Sequence, residues 1–300
     1  MISFGPTSIR RREANGSTSH DDDALLRRIE EWAWLYWGET PHSVPVHVLA
    51  GEADWRQAAW MLASWFHYSE SGWPVHIHDD GTLPPKARTT LQRLFLGARV
   101  ISRAEADDAM SRELEAFSFC DYYRRLHPLA LRIFDVAHFS PGDRFILLDS
   151  DLLFFALPRE ALSWASRETP ECWFLEDIRG ASLLVAEQAR VELGVELWSR
   201  VNTGLALVWK KAVDLEFCDR CLAQTSLLRG HLWRVEPTLY ALCAARHGKG
   251  GLLPLTYEVS LGRDAESDAV ARHYVGAVRS RFYSEGLARL VEPLFADNDL

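Results

Sequence analysis

The stretch that most constrains the fold is Arg144-Phe145-Ile146-Leu147-Leu148-Asp149-Ser150-Asp151-Leu152-Leu153-Phe154-Phe155. Residues 145–148 are consecutively apolar. Such a run describes a strand buried on both faces, of the kind found at the centre of a mostly parallel sheet. Two carboxylates follow where that strand ends. Open α/β sheets collect ligands outside the carboxyl ends of their strands, which puts Asp149 and Asp151 where a functional group is expected. In an extended segment residues i and i+2 point the same way, roughly 6–7 Å apart. Both carboxylates can then approach one Mg²⁺ or Mn²⁺, directly or through water. Acids just after a strand also make turns or cap the next helix, so the pair alone leaves both uses open.

The flanking sequence alternates strand and helix, the mark of an α/β fold with parallel strands. Val44 to Gly51 has the β-branched content and terminal Gly of a first strand. A helix from about Asp54 to Ser69 follows, broken by Gly72-Trp73-Pro74. Val75-His76-Ile77-His78 is a second strand that also ends in paired acids, Asp79 and Asp80. Pro84-Pro85 opens a helix, Arg99-Val100-Ile101 is a third strand, and Ser102 caps the helix beginning at Arg103. One long helical stretch is expected over Asp121 to Phe139. After Asp151 come a helix over Pro158–Arg167, a strand at Cys172–Leu175, helical residues 186–193 and a strand from Val201 to Trp209. Helices near 212–228 and 237–247 and a last strand near His273 complete the reading. Residues 1–23, almost without apolar content, are expected to form a flexible tail, and 24–300 one domain with a C-terminal helical appendage.

Bulk properties narrow the function. Of 300 residues 48% are hydrophobic, enough for a substantial core, and the net charge of -9 argues against a general nucleic-acid binder. Five cysteines without a dense framework suggest reduced thiols in a cytoplasmic setting. No apolar run approaches the roughly 20 residues of a membrane span. The twelve tryptophans fall largely at helical spacings, Trp32, Trp34 and Trp37, then Trp55, Trp60 and Trp65, and read as core. Trp73, Trp198 and Trp233 lie near apparent loops, where an indole can instead stack on a base or sugar.

Four separated stretches together resemble the GT-A fold glycosyltransferases, the group of glycogenin and the bacterial lipopolysaccharide glycosyltransferases. They are Phe145 to Asp151, Asn202-Thr203-Gly204-Leu205, Glu236-Pro237-Thr238-Leu239-Tyr240 and His273-Tyr274-Val275-Gly276. The resemblance implies a GT-A (nucleotide-diphospho-sugar transferase) fold, a mostly parallel central sheet flanked by helices. It implies a metal-dependent transferase of hexosyl type. A nucleoside-diphosphate sugar, a UDP-sugar first, would be the donor, and a glycan, lipid-linked sugar, protein or small molecule the acceptor. On this resemblance Asp149, Asp151 and His273 hold Mn²⁺ or Mg²⁺, an imidazole suiting Mn²⁺ better. Ala50, Gly51, Asp79, Asp80 and Ser150 contact the nucleotide, and Asn202 and Gly204 border the donor sugar or the acceptor. Glu236 is the catalytic candidate. The usual Asp-Gln is Glu236-Pro237 here, and the Lys-Pro-Trp that often follows the late His is absent, which leaves the diphosphate to Arg279 or Arg281.

Two other classes stay in view. A haloacid-dehalogenase-like phosphohydrolase also ends a strand in Asp-x-Asp, although the following Gly-Thr is missing after Asp151. A non-catalytic nucleotide-sugar-binding protein would keep the fold without turnover. Cys218-x-x-Cys221 and Cys243-x-x-x-His247 have zinc-like spacings, but both fall in helical patterns where such pairs simply share a face.

Overall fold

The computed structural model describes residues 26–29, 42–180, 182–224, 226–262 and 264–291. The expected tail and most of the helix carrying Trp32, Trp34 and Trp37 lie outside the described residues, as does the end of the C-terminal appendage.

The first half is a run of strand–helix units: β1 (Val46–Ala50), α1 (Trp55–Ser69), β2 (Val75–Asp79), α2 (Pro85–Leu94), β3 (Arg99–Ile101) and α3 (Arg103–Glu113). Ser102 caps α3 as expected, accepting from the Glu105 N–H at 3.2 Å. The long helix expected over 121–139 is instead three pieces, α4 (Ser118–Leu126), a 3-10 turn (Pro128–Arg132) and α5 (Phe134–Phe139). Pro128 is the cause. It forces His127 out of the helical region, to φ -147 and ψ 130.

Next come β4 (Arg144–Leu148), β5 (Leu152–Phe154), α6 (Arg159–Ser166), β6 (Cys172–Glu176), β7 (Val201–Trp209), α7 (Leu215–Gln224), α8 (Val235–His247), β8 (Gly250–Leu252), β9 (Tyr257–Val259) and β10 (Ala271–His273). A seven-stranded sheet runs in the order β3-β2-β1-β4-β7-β6-β8, and β5-β10-β9 form a separate three-stranded sheet. In the large sheet the β4–β7 and β6–β7 pairs are antiparallel and the other pairs are parallel. The mostly parallel expectation therefore holds, with β7 reversed.

β4 is buried on both faces because successive side chains enter different cores. Ile146 and Leu148 pack with Val46, Val48 and the α1 residues Trp60 and Trp65. Phe145 and Leu147 join Phe174, Val208, Leu239 and Tyr240 on the other side. Trp55, Trp60 and Trp65 are core residues, as their spacing suggested.

Candidate active site

The carboxyl ends of β1 and β4 and the reversed start of β7 meet at one edge of the large sheet, and the small sheet closes over them. Asp149 and Asp151 are not on an extended strand. They occupy a turn in which the Leu152 N–H reaches the Asp149 carbonyl at 3.3 Å. The turn is pinned on both sides, by the Asp149 N–H to the Gly204 carbonyl and the Tyr274 N–H to the Asp151 carbonyl, each at 2.8 Å. It exists because the chain reverses at once into β5. The β5–β10 register then sets His273 opposite Leu152, beside Asp151.

Three donor atoms converge there. His273 Nε2 lies 3.2 Å from Asp149 Oδ2 and 3.0 Å from Asp151 Oδ1. Each ligand is held by its remaining atom. Arg132 pairs with Asp149 Oδ1 at 3.1 Å, and Arg279 donates to Asp151 Oδ2 from Nε at 2.8 Å with Nη2 at 2.7 Å. His273 Nδ1 is 2.9 Å from Asn202 Oδ1. Burial would raise the Asp151 carboxyl, but the charges of His273 and Arg279 overcome it and hold the group below its ordinary range. Burial likewise disfavours the His273 imidazolium, and the Asp151 and Asp149 carboxylates more than reverse this. Two carboxylate oxygens and one imidazole nitrogen that converge on one point fit a divalent metal, which would take the place of the proton held on Nε2. Asp149, Asp151 and His273 are the one such group among the described residues.

β7 sorts the rest of the site by strand alternation. A register shift against β6, from Phe174↔Ala206 to Leu175↔Asn202, leaves residues 203–205 without partners in that strand. The Thr203 carbonyl is thereby free to accept from Arg132 Nη2 at 2.7 Å. Asn202 faces His273, whereas Thr203 turns the other way and donates from its hydroxyl to Glu236 Oε2 at 2.9 Å. Glu236, at the start of α8 and 1% exposed, also lies 3.3 Å from Arg132 Nη1. Burial pushes its carboxyl up to about 7 against the lowering effect of Arg132. Gly204 underlies the imidazole, where a side chain would collide with the ring.

A cavity of about 510 Å³ joins these groups. Asp149, Ser150, Asp151, Asn202, Glu236, His273 and Arg279 line it, so most of the residues expected from the sequence are brought together. The acids after β2 are used locally instead. Asp79 accepts from the Gly81 and Leu83 N–H groups and pairs with Arg88. Asp80 accepts from Thr82 and lies against Gly51, where a β-carbon would sit 2.4 Å from its carboxylate. The Ala50 side chain is buried, and its carbonyl accepts from the Asp80 N–H. Arg281 pairs with Asp264 and Glu285, which leaves Arg279 at the Asp149–Asp151 turn.

Four site residues went unseen in the sequence reading. Asp54, ahead of α1, accepts from the Gly51 N–H and the Ser150 hydroxyl, and burial raises its carboxyl to about 6. Asp177, just past β6, accepts from Asn202. Its place beyond a strand end was the available signal. Thr203 lay inside the Asn202–Leu205 stretch but was given no role, and Arg132 carried no signal. Among the described residues no cysteine belongs to a group of three or more metal-ligating side chains. All five cysteines are buried and outside any disulfide, with Cys218 and Cys243 Sγ 3.5 Å apart, and His247 bonds the Pro170 carbonyl.

No family model matches the sequence, and no curated protein matches it. Solved structures do match. Mouse xyloside xylosyltransferase 1, in its apo form, is 15% identical with a TM-score of 0.52, over 78% of this chain and 97% of that one. The galactosyltransferase LgtC, in complex with donor and acceptor sugar analogues, is 11% identical with a TM-score of 0.55, over 84% and 96%. The apo bifunctional glycosyltransferase WbbM is 13% identical with a TM-score of 0.55, over 83% of this chain and half of its own length. Likeness at such identities is likeness of fold: the chain has the GT-A fold of these transferases.

Proposed function

We propose that this chain is a metal-dependent glycosyltransferase that moves a sugar from a nucleoside-diphosphate sugar, a UDP-sugar first, to an acceptor hydroxyl. The observation that carries the reading is the convergence of Asp149 Oδ2, Asp151 Oδ1 and His273 Nε2 on one point at the edge of a GT-A sheet. The same fold likeness sets it ahead of the phosphohydrolase alternative.

Asp149, Asp151 and His273 would hold the cation, with Mn²⁺ favoured over Mg²⁺ by the imidazole donor. When bound, such a cation neutralises the charge that grows on a departing nucleoside diphosphate without any proton transfer. Arg279, more than half exposed, is free to turn from Asp151 toward a phosphate. Asp54 and Ser150, which line the cavity, form the nucleoside side. Glu236 lines the cavity with a carboxyl that titrates near neutrality, as a base receiving an acceptor proton needs. Arg132 keeps Glu236 and Asp149 from repelling one another. Five buried free thiols favour a cytoplasmic setting.

Calorimetric titration of UDP, GDP and their sugars, with and without Mn²⁺, tests the reading. Metal-dependent binding of one nucleotide that Asp151→Ala abolishes is expected. Absence of nucleotide binding both with and without Mn²⁺ overturns it.

A further inference from the structure

The orientation of the Asn202 amide decides which nitrogen of His273 can meet a metal. Its Nδ2 donates to Asp177 Oδ2 at 2.9 Å, and its Oδ1 accepts from the Gly204 backbone N–H at 2.9 Å. A carboxylate can only accept and a backbone N–H can only donate, so both neighbours demand the same orientation of the amide. Oδ1 also faces His273 Nδ1 at 2.9 Å, which obliges that nitrogen to carry a hydrogen. The lone pair of the neutral ring is then confined to Nε2, the atom aimed at Asp149 and Asp151.

We infer that Asp177 and Asn202 are positioning residues that fix the tautomer and angle of His273 for metal binding, and that Asn202 serves the ligand before it serves any sugar. This rests on the metal-dependent reading above. Metal-binding histidines usually donate their second ring N–H to an oxygen, and loss of that acceptor typically weakens metal affinity by about 10–100-fold. Here the acceptor is an amide rather than a carboxylate. A neutral amide leaves the site's negative charge with the two ligand carboxylates, and it needs Asp177 because an unheld amide can turn and present its NH₂ to the ring. Gly204 completes the arrangement: it supplies the N–H that holds Oδ1 and the space the ring occupies.

The test measures Mn²⁺ affinity by electron paramagnetic resonance without nucleotide, in wild type, Asn202→Ala, Asp177→Asn and the double variant Asn202→Asp/Asp177→Asn. The single variants are expected to bind about 10–100-fold and several-fold more weakly, respectively. The double variant exchanges acceptor and donor while keeping an oxygen on Nδ1–H, and it is expected to recover most of the loss. In ¹⁵N-histidine-labelled wild type loaded with Zn²⁺, long-range proton–nitrogen correlation is expected to show His273 with hydrogen on Nδ1. Wild-type Mn²⁺ binding with Asn202→Ala unchanged, or no recovery in the double variant, overturns the inference and leaves the metal reading standing. A wild type that binds no metal removes both.

Discussion

Gly204 and His273 interlock: a β-carbon on Gly204 would lie 2.2 Å from Nδ1 of the imidazole. Backbone φ is not the reason for the glycine, since the position lies within β7; the reason is the ring's occupancy of the space. Gly204→Ala must push the imidazole off its line to Asp149 and Asp151 or shift β7, whose Gly204 carbonyl holds the Asp149 N–H. Metal affinity is expected to fall at least tenfold, with retained far-ultraviolet circular dichroism. A metal titration superimposable on that of wild type would place the ring elsewhere.

Arg132 is 3% exposed and stands between two acids that would otherwise face each other, Asp149 and Glu236. Removing one member of a buried ionic cluster costs about 3–5 kcal/mol, because the remaining charges lose their partner. Arg132→Met is therefore expected to lower unfolding stability by that amount in urea. The double variant Arg132→Met/Glu236→Gln should recover part of the loss, because the acid left unpaired is gone. Strictly additive losses in the double-mutant cycle would show that the two side chains are not coupled.

Arg132 also shows where sequence reading stops. Strands β1, β2 and β4 and helix α1 were legible because apolar runs and periodicity are local properties of the chain, and the paired acids after β4 were legible by position. Arg132 sits in a stretch that reads as one long helix, and only the break at Pro128 and the register shift of β7 bring it beneath Thr203. The short strands β5, β8 and β9 escaped for a related reason: three residues are too few to show alternation, and unlike the equally short β3 none of them stands between two helices. His273 was findable only within an ordered set of motifs, since its approach to Asp151 depends on a pairing across more than a hundred residues.

Away from the site, His47 and His78 face each other from β1 and β2, with Nδ1 of one 2.9 Å from Nε2 of the other. Burial, followed by the charges of His78 and His76, pushes His47 well below the ordinary 6.5. Burial with His76 and Arg99 takes His78 to about 3. The unfolded chain therefore takes up protons before the folded one does. Stability from this pair is present above pH 6.5 and is lost as pH falls from there, for His78 down to about 3, at about 1.4 kcal/mol per pH unit for each imidazole that the fold keeps neutral. Glu236 works the other way between 4.5 and about 7, so the comparison must be made with a variant. His78→Leu is expected to reduce the slope of urea stability against pH between 6.5 and 5 by about one proton. Parallel curves for variant and wild type would mean that His78 does not resist protonation in the fold.

The tryptophans that sequence position left undecided resolve differently. Trp73 is buried, stacks on His42 and donates to Ser69, and Trp198 packs against Phe174. Trp233 remains 54% exposed while lining the cavity beside Glu236 and Pro237. Arg234 braces one face of its indole at 5.8 Å and is itself tied to the Gly180 and Ser182 carbonyls. A large, half-exposed apolar ring already braced by a neighbour loses little entropy on stacking, which would suit it to the apolar face of an acceptor. Because Trp233 lines the cavity together with Glu236, the candidate base for the acceptor hydroxyl, Trp233→Ala is expected to raise the acceptor KM about tenfold, or ~1.4 kcal/mol. Nucleotide affinity should stay within twofold of wild type. A loss of nucleotide affinity with an unchanged acceptor KM would instead make Trp233 the platform for the base, and the nucleoside side of the cavity would have to be reassigned to the start of α8.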